Sequence, residues 1–478
     1  MLLLLLIGML TLTFDVRQVK ASGTVHIRAD GSIDPPTAPI STVDNITYTF
    51  SSDISDSIIV ERDSIVVDGA GYTVHGGGAV HGIDLSYRYN VTLKNVKITN
   101  FVGGIELYYS TNNALIGNTV SGNDWGIELA YSSDNTVIRN IVSSSNLYGI
   151  RLVHSSGNAL FGNKVFSDNI YGILLSYSCS NSLVGNNVSS NNYGIRVASS
   201  SDNNVLTGNN VSHNVRGINL CYSSSNSLIG NRASINTHGI HLWSSKNNTL
   251  TGNDALSNDY GFHLEASSSN TIFHNNLIDN AIQACVTVGY ANIWDNGYPS
   301  GGNYWRDCIG TDVNYDGIGD IQYEIDSGNV DHYPLMGLFH SFNTSSTCFV
   351  NVISNCIIED FEYSESENKI EMQVLNSSVN QKYGFCRICI PKDMFGPNCT
   401  VMIDEGTTET LHFNNAIHET DTHAWIYFAY LNPTHQLIIQ TSSEEADSFP
   451  TWIIIAIILT AVVGTALLIY SVKIKKAT

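Results

Sequence analysis

Residues Asp312-Val313-Asn314-Tyr315-Asp316-Gly317-Ile318-Gly319-Asp320 put oxygen-bearing side chains at alternate positions, with a glycine directly after the third. This matches the first nine positions of a calcium loop. Asp312, Asn314, Asp316 and Asp320 would supply side-chain oxygens and Ile318 a carbonyl. Position twelve, a glutamate in an EF-hand, is Tyr323 here, with Glu324 and Asp326 close behind. The expected cofactor is calcium, acting as a structural clamp. The plainer alternative is an Asx-rich turn without an ion.

A second set is scattered along the chain. Asp84, Glu106, Glu128, Arg151, Leu174, Arg196, Asn219, His241 and His263 each lie two residues after a glycine. Glu106 and Glu128 are a carboxylate pair of the kind that cleaves glycosidic bonds, with Arg151 beside them. His241 and His263, with His238 three residues earlier, suit copper or zinc. A solvated polar face is the plainer account of all six. No catalytic residue is expected, and copper is not expected.

What turns the scattered residues into a set is a repeat. Gly82, Gly104, Gly126, Gly149, Gly172, Gly194, Gly217, Gly239 and Gly261 follow one another at 22 or 23 residues. A fixed period of this length marks a solenoid. Short apolar alternations, such as Ile105-Glu106-Leu107, are bounded by Asn, Gly and Ser, which reads as about three strands per turn. The implied fold is a parallel β-helix filled by Ile, Leu and Val. Nine coils at about 4.8 Å each give a rod of roughly 45 Å. Asn113, Asn135, Asn158 and their equivalents, and Asn118, Asn140, Asn163 and theirs, are expected at corners. There they take left-handed turns and bond the same residue one coil away. The extra residue of the 23-residue coils is expected in turns, near Ser145, near Ile170 and after Gly194, where it leaves strand register intact.

Stacking would also align aromatic columns. Trp125, Tyr148, Tyr171, Tyr193, Arg216, His238 and Tyr260 precede the glycines; Tyr87, Tyr109, Tyr131, His154, Tyr177 and Tyr222 follow them. Alternation near a corner leaves their direction open: structural ladder, or platform for sugars.

The chain begins with an apolar run and a small-residue site, so 1–22 reads as a signal peptide. Residues 23–337 hold the β-helix with its N-terminal cap and the Asp-rich loop. Alternating runs over 340–443 suggest a β-sandwich of immunoglobulin-like class. Residues 444–450 are a linker, and 451–472 are apolar enough to span a bilayer. Lys473, Lys475 and Lys476 follow, so 473–478 is expected in the cytoplasm and the rest outside. With 22 basic and 43 acidic residues, net −21, nucleic acid is excluded as a partner.

Together the repeats, Asp68-Gly69-Ala70-Gly71 before them and Gly301-Gly302-Asn303-Tyr304-Trp305 and Asp331-His332-Tyr333-Pro334-Leu335 after them resemble NosD-type right-handed β-helix proteins. These belong to the wider carbohydrate-binding and sugar-hydrolysis repeat group of pectin-lyase-like fold. The resemblance implies a right-handed β-helix over about 23–337. It is similar to archaeal surface proteins with one C-terminal anchor, while the name-giving members deliver copper in the periplasm. The expectation drawn here is a membrane-anchored surface protein that binds carbohydrate or other envelope components without catalysis. A polysaccharide lyase or hydrolase, or NosD-like metal handling, are the alternatives.

Overall fold

The structure is a computed structural model. It describes residues 23–441 apart from 79, 289, 346–347, 395–398, 405–411 and 432–433. The expected signal peptide, linker, membrane span and cytoplasmic tail lie outside the described residues, as do residues 442–443 of the expected sandwich. Among the described residues no helix is long and apolar enough to cross a membrane. Two compact units are present: residues up to Ser341 with Asn351–Asn355, and Phe342–Val350 with the chain from Cys356 on.

The first unit is a parallel β-helix of three sheets. A 13-stranded sheet carries the glycine-containing strands, among them Gly103–Tyr108, Trp125–Ala130, Tyr148–Val153, Tyr171–Ser176, Tyr193–Ala198, Arg216–Cys221, His238–Trp243 and Tyr260–Glu265. Sheets of 12 and 11 short strands complete each turn. Partners stay in register across whole coils: Ile127 faces Ile150, and Ile150 faces Ile173. The inward residues form a continuous, fully buried Ile/Leu/Val core. Insertions sit in turns as expected; Ser167 and Asp168, and Ser199 and Ser200, form consecutive left-handed pairs there. The repeat glycine has a packing reason. A Cβ at Gly172 would lie 2.6 Å from both the Gly194 carbonyl and Val188 Cγ1.

Asparagine does more than turn corners. Each Asn of the first ladder donates its side-chain amide to the next, as Asn135 Nδ2 does to Asn158 Oδ1 at 3.1 Å and Asn158 to Asn181 at 3.1 Å. The second ladder behaves alike, and a third runs through Asn169, Asn191, Asn214, Asn236, Asn258 and Asn280. A parallel serine file includes Ser132, Ser155 and Ser178. These side chains are buried, not corner-facing. The left-handed residue of the first ladder is the one before it, such as Asn112, Asp134 or Ser180. The ladder side chain turns inward instead, because strand ends leave buried N–H and C=O groups that need partners.

All ladders point the same way, so the last member only has to accept. Asp331 fills that role for the second ladder. It takes bonds from Asn303 N (2.7 Å), Trp305 Nε1 (2.8 Å) and Tyr333 N (3.0 Å). Burial pushes its carboxyl up to about 6, against the pull of those N–H donors. Asn329 ends the first ladder by accepting from Asn292 N and Trp294 Nε1. The tail motifs after the repeats are thus the cap.

The second unit holds antiparallel sheets of four and five strands. Five of the six alternating runs expected over 340–443 fall within strands, for example in Lys369–Leu375 and His423–Leu431; the sixth, 410–413, begins outside the described residues and ends in His412–Glu419. The long strands Leu338–Ser345, Cys348–Ser354 and Ile357–Ser364 were missed, since polar residues interrupt their alternation.

Candidate functional site

In the strand His238–Trp243, Ile240 and Leu242 enter the core, so His241 between them points away from it. The same holds coil by coil. The residues two after each glycine therefore form one file on the outer face of the 13-stranded sheet, and the file before the glycines runs beside it.

At the N-terminal end, Glu128 Oε1 meets Arg151 Nη1 at 2.6 Å. Glu106 Oε2 lies 2.6 Å from His81 Nδ1, an ion contact without the alignment of a hydrogen bond. Sequence reasoning missed His81, although it occupies the file just before a glycine. Burial pushes the Glu128 carboxyl up, assisted by Glu106 and opposed by Arg151. Burial acts against the His81 imidazolium, but Glu106 holds its pKa above the ordinary value.

In the middle, Tyr148, Tyr171 and Tyr193 stack with centroids 5.4 and 5.1 Å apart. Arg151 lies 4.8 Å from the Tyr148 ring, Arg196 4.6 Å from Tyr193, and Arg216 5.0 Å from Tyr193. Arg216 also donates to the Tyr193 hydroxyl at 3.2 Å. Both files thus face outward, which alternation alone left open. Stacking occupies the ring faces, however. What remains for a ligand is ring edges, hydroxyls and guanidinium groups. The corner file Tyr87, Tyr109, Tyr131, His154 and Tyr177 is likewise stacked, each residue in the left-handed region.

At the C-terminal end, the His241 and His263 rings stack 4.8 Å apart. Glu265 joins them, its Oε2 3.7 Å from His241 Nε2. One ligand atom from each of the three lies within 4.8 Å of the others. His238 is not in that group: its ring packs on Tyr260 (5.0 Å) and His263 (5.2 Å). Glu265 was overlooked, yet it follows His263 by two residues and so shares its outward parity. His241 is 4 % exposed. Burial, then the neighbouring His263 and His238, push it down to about 3, so it stays neutral.

Apart from this face, the Asp-rich loop brings its predicted residues together. Asp312 accepts from Asp316 N (2.9 Å) and Gly317 N (2.8 Å), Asp316 from Ile318 N (2.9 Å), and Asp320 from Val313 N (2.6 Å). Asn314 donates to Asp316 at 3.2 Å. Ile318 is buried and bridges Leu335. Burial raises the Asp312 carboxyl, with Asp316 and Asp320 adding to it. Tyr323 instead stacks on Trp305, and Asp326 caps Gly328 N, so neither closes the loop.

Residues 41–188 match the right-handed β-helix region family, and residues 161–310 match the family described as periplasmic copper-binding protein (NosD). Over 41–310 the chain is built of right-handed β-helix repeats, of the NosD type over 161–310. No curated protein matches the chain in sequence. Similar solved structures include a mannuronan C-5 epimerase A-module from Azotobacter vinelandii. It is 15 % identical with TM-score 0.44, and the match covers 57 % of this chain and 87 % of that one. A periplasmic alginate epimerase is 15 % identical with TM-score 0.39, covering 57 % and 83 %. The DFA-IIIase of Arthrobacter chlorophenolicus A6, without its lid, is 15 % identical with TM-score 0.36, covering 48 % and 64 %.

Proposed function

We propose that the outer face of the 13-stranded sheet binds an acidic, carboxylate-bearing polysaccharide along the rod, without cleaving it. One observation carries this reading. In a chain of net charge −21, Arg196 and Arg216 stand on neighbouring coils over the tyrosine stack, and among the described residues neither has a carboxylate in ion-pair range. Guanidinium groups on aromatic rings keep their N–H edges free, and those edges suit carboxylates. Turnover is disfavoured because Glu128 is engaged by the Arg151 guanidinium and Glu106 by the His81 ring, each at 2.6 Å. The apolar stretch 451–472 with its trailing lysines supports a single-pass surface location, ectodomain outside. Calcium in the Asp312–Asp320 loop, clamping the helix's C-terminal end, belongs to the same proposal.

Polygalacturonate and neutral dextran, offered to the full-length protein, test the reading. Polygalacturonate is expected to bind, weakening with salt, and to yield no new reducing ends or unsaturated products. Arg196→Ala with Arg216→Ala is expected to lower affinity about 10- to 100-fold, as losing one or two charge-assisted bonds would. Equal binding of dextran overturns the acidic specificity, and product formation makes the face an active site. Calcium that fails to raise the melting temperature removes the clamp.

A further inference from the structure

The histidine end of the outer face holds groups the glycan reading does not use. His241 is 96 % buried by its 4 % exposure, yet its Nε2 has no hydrogen-bond partner. His263 Nδ1 is also buried without a partner. Glu265 approaches Nε2 only to 3.7 Å, too far for a hydrogen bond and right for two ligands sharing an ion. Leaving buried polar atoms unmatched is unfavourable unless something absent from the protein itself completes them.

We infer that His241, His263 and Glu265 form a binding site for one divalent transition-metal ion of the zinc type, held on adjacent coils of the sheet. The donor set is two imidazoles and a carboxylate, the composition of open zinc sites, which keep a further position for water or another ligand. Parallel register fixes it, because His241 and His263 are direct Cα partners and Trp243 pairs with Glu265. His238 supports the site by packing on His263. Asn219 supplies the outer contact. Its amide nitrogen lies 3.2 Å from both His241 Nδ1 and the His241 carbonyl oxygen, so it donates to that carbonyl and fixes the backbone that carries the ring. The inference is independent of the glycan reading, whose arginines lie on other coils.

The test uses untagged full-length protein stripped with EDTA, then titrated with Zn2+ by calorimetry, with metal content measured after dialysis. Zinc is the better probe because copper(II) binds most nitrogen sites more tightly and so discriminates less. One zinc per chain at this site and a higher melting temperature are expected. His263→Gln and Glu265→Gln alter half-exposed side chains that the core does not need, and are expected to fold as the parent does by circular dichroism. Affinity should fall at least 100-fold in the first and about 10-fold in the second, while Asp316→Asn in the Asp-rich loop leaves it unchanged. Asn219→Leu should weaken it about 10- to 100-fold. Cobalt(II) substituted at the site should give a visible spectrum that His263→Gln abolishes. Folded parent that retains no zinc, or zinc retained equally by His263→Gln, overturns the site.

Discussion

Two positions of the same coil obey opposite rules. The ladder position keeps asparagine from Asn118 through Asn275, coil after coil, while the position two after the glycine changes from Glu128 to Arg151 to Leu174 to Arg196 to Asn219 to His241. Both lie at the 4.8 Å spacing of parallel strands. The ladder side chain is buried and bonded to its copies above and below, so any other residue orphans its neighbours. The outer side chain meets its neighbours through pairwise contacts that differ from coil to coil, Glu128 with Arg151 and His241 with His263, so chemistry there is free to vary. In a solenoid, then, repetition marks what holds the rod together, and departure from repetition marks where to look for ligands.

The strongest way to break this contrast is Asn186→Leu. Asn163 N would lose its acceptor at 3.0 Å and Asn163 Nδ2 one of two acceptors at 2.9 Å; Leu160 O would lose a donor at 3.0 Å, and Asn209 Oδ1 one of two donors at 2.9 Å, keeping the residue-186 backbone N–H. Four buried bonds are lost, at about 0.5–1.5 kcal/mol each, and Asn163 N is orphaned outright at about 1–3 kcal/mol, a large share of the stability of a typical domain. The expected outcome is aggregation, or a melting temperature lower by more than about 10 °C in circular dichroism. Arg196→Ala, on the neighbouring outer file, should move it by less than about 2 °C. Similar losses from both would end the distinction.

The contrast also explains what could be read beforehand. The glycine period, three strands per coil and the outward file all followed from spacing, because stacking is periodic in sequence as well as in space. The two named asparagine ladders were visible; their burial was not, since asparagine at a corner and asparagine tucked inside it share one pattern. The third ladder was hidden where Ser145 replaces asparagine between Asn123 and Asn169. At the site, His241 and His263 came from the file, but His81 sits in the file before the glycines, read for aromatic rings and not for charge, and Glu265 in the file four after them, which was not read. Arg196 and Arg216 were visible too. That they lack carboxylate partners depends on side-chain direction, which spacing does not carry.

A smaller effect sharpens the ladder side at its terminus. Asp331 has a carboxyl pKa of about 6 when folded, against about 3.8 as its ordinary value. A raised folded pKa means the folded state holds the proton more tightly. The associated stability is therefore fully present below about pH 4 and is lost as pH rises through 6. Roughly two units correspond to at most about 3 kcal/mol. Between pH 7 and 4 the melting temperature of the parent should rise relative to Asp331→Asn, which cannot titrate. A constant difference across that range would mean that the accepting end of the ladder is charged and content, and that burial is offset by its three N–H donors.

The smallest expected effect concerns the corner tyrosines, which repeat like a ladder yet lie exposed. Tyr109 stacks on Tyr131 at 5.0 Å and on Tyr87 at 6.0 Å, with φ at +50°. Tyr109→Asn removes stacking worth about 0.5–1.5 kcal/mol for a well-formed pair, less when exposed. It also relieves a left-handed strain that asparagine tolerates and most residues do not. The two terms oppose, so stability should change by no more than about 1 kcal/mol, read as a shift of a few °C. Polygalacturonate affinity should not change, because no arginine lies over these rings among the described residues. If Tyr109→Asn weakened binding as much as Arg196→Ala, the corner file would belong to the site, and repetition would no longer separate scaffold from ligand surface.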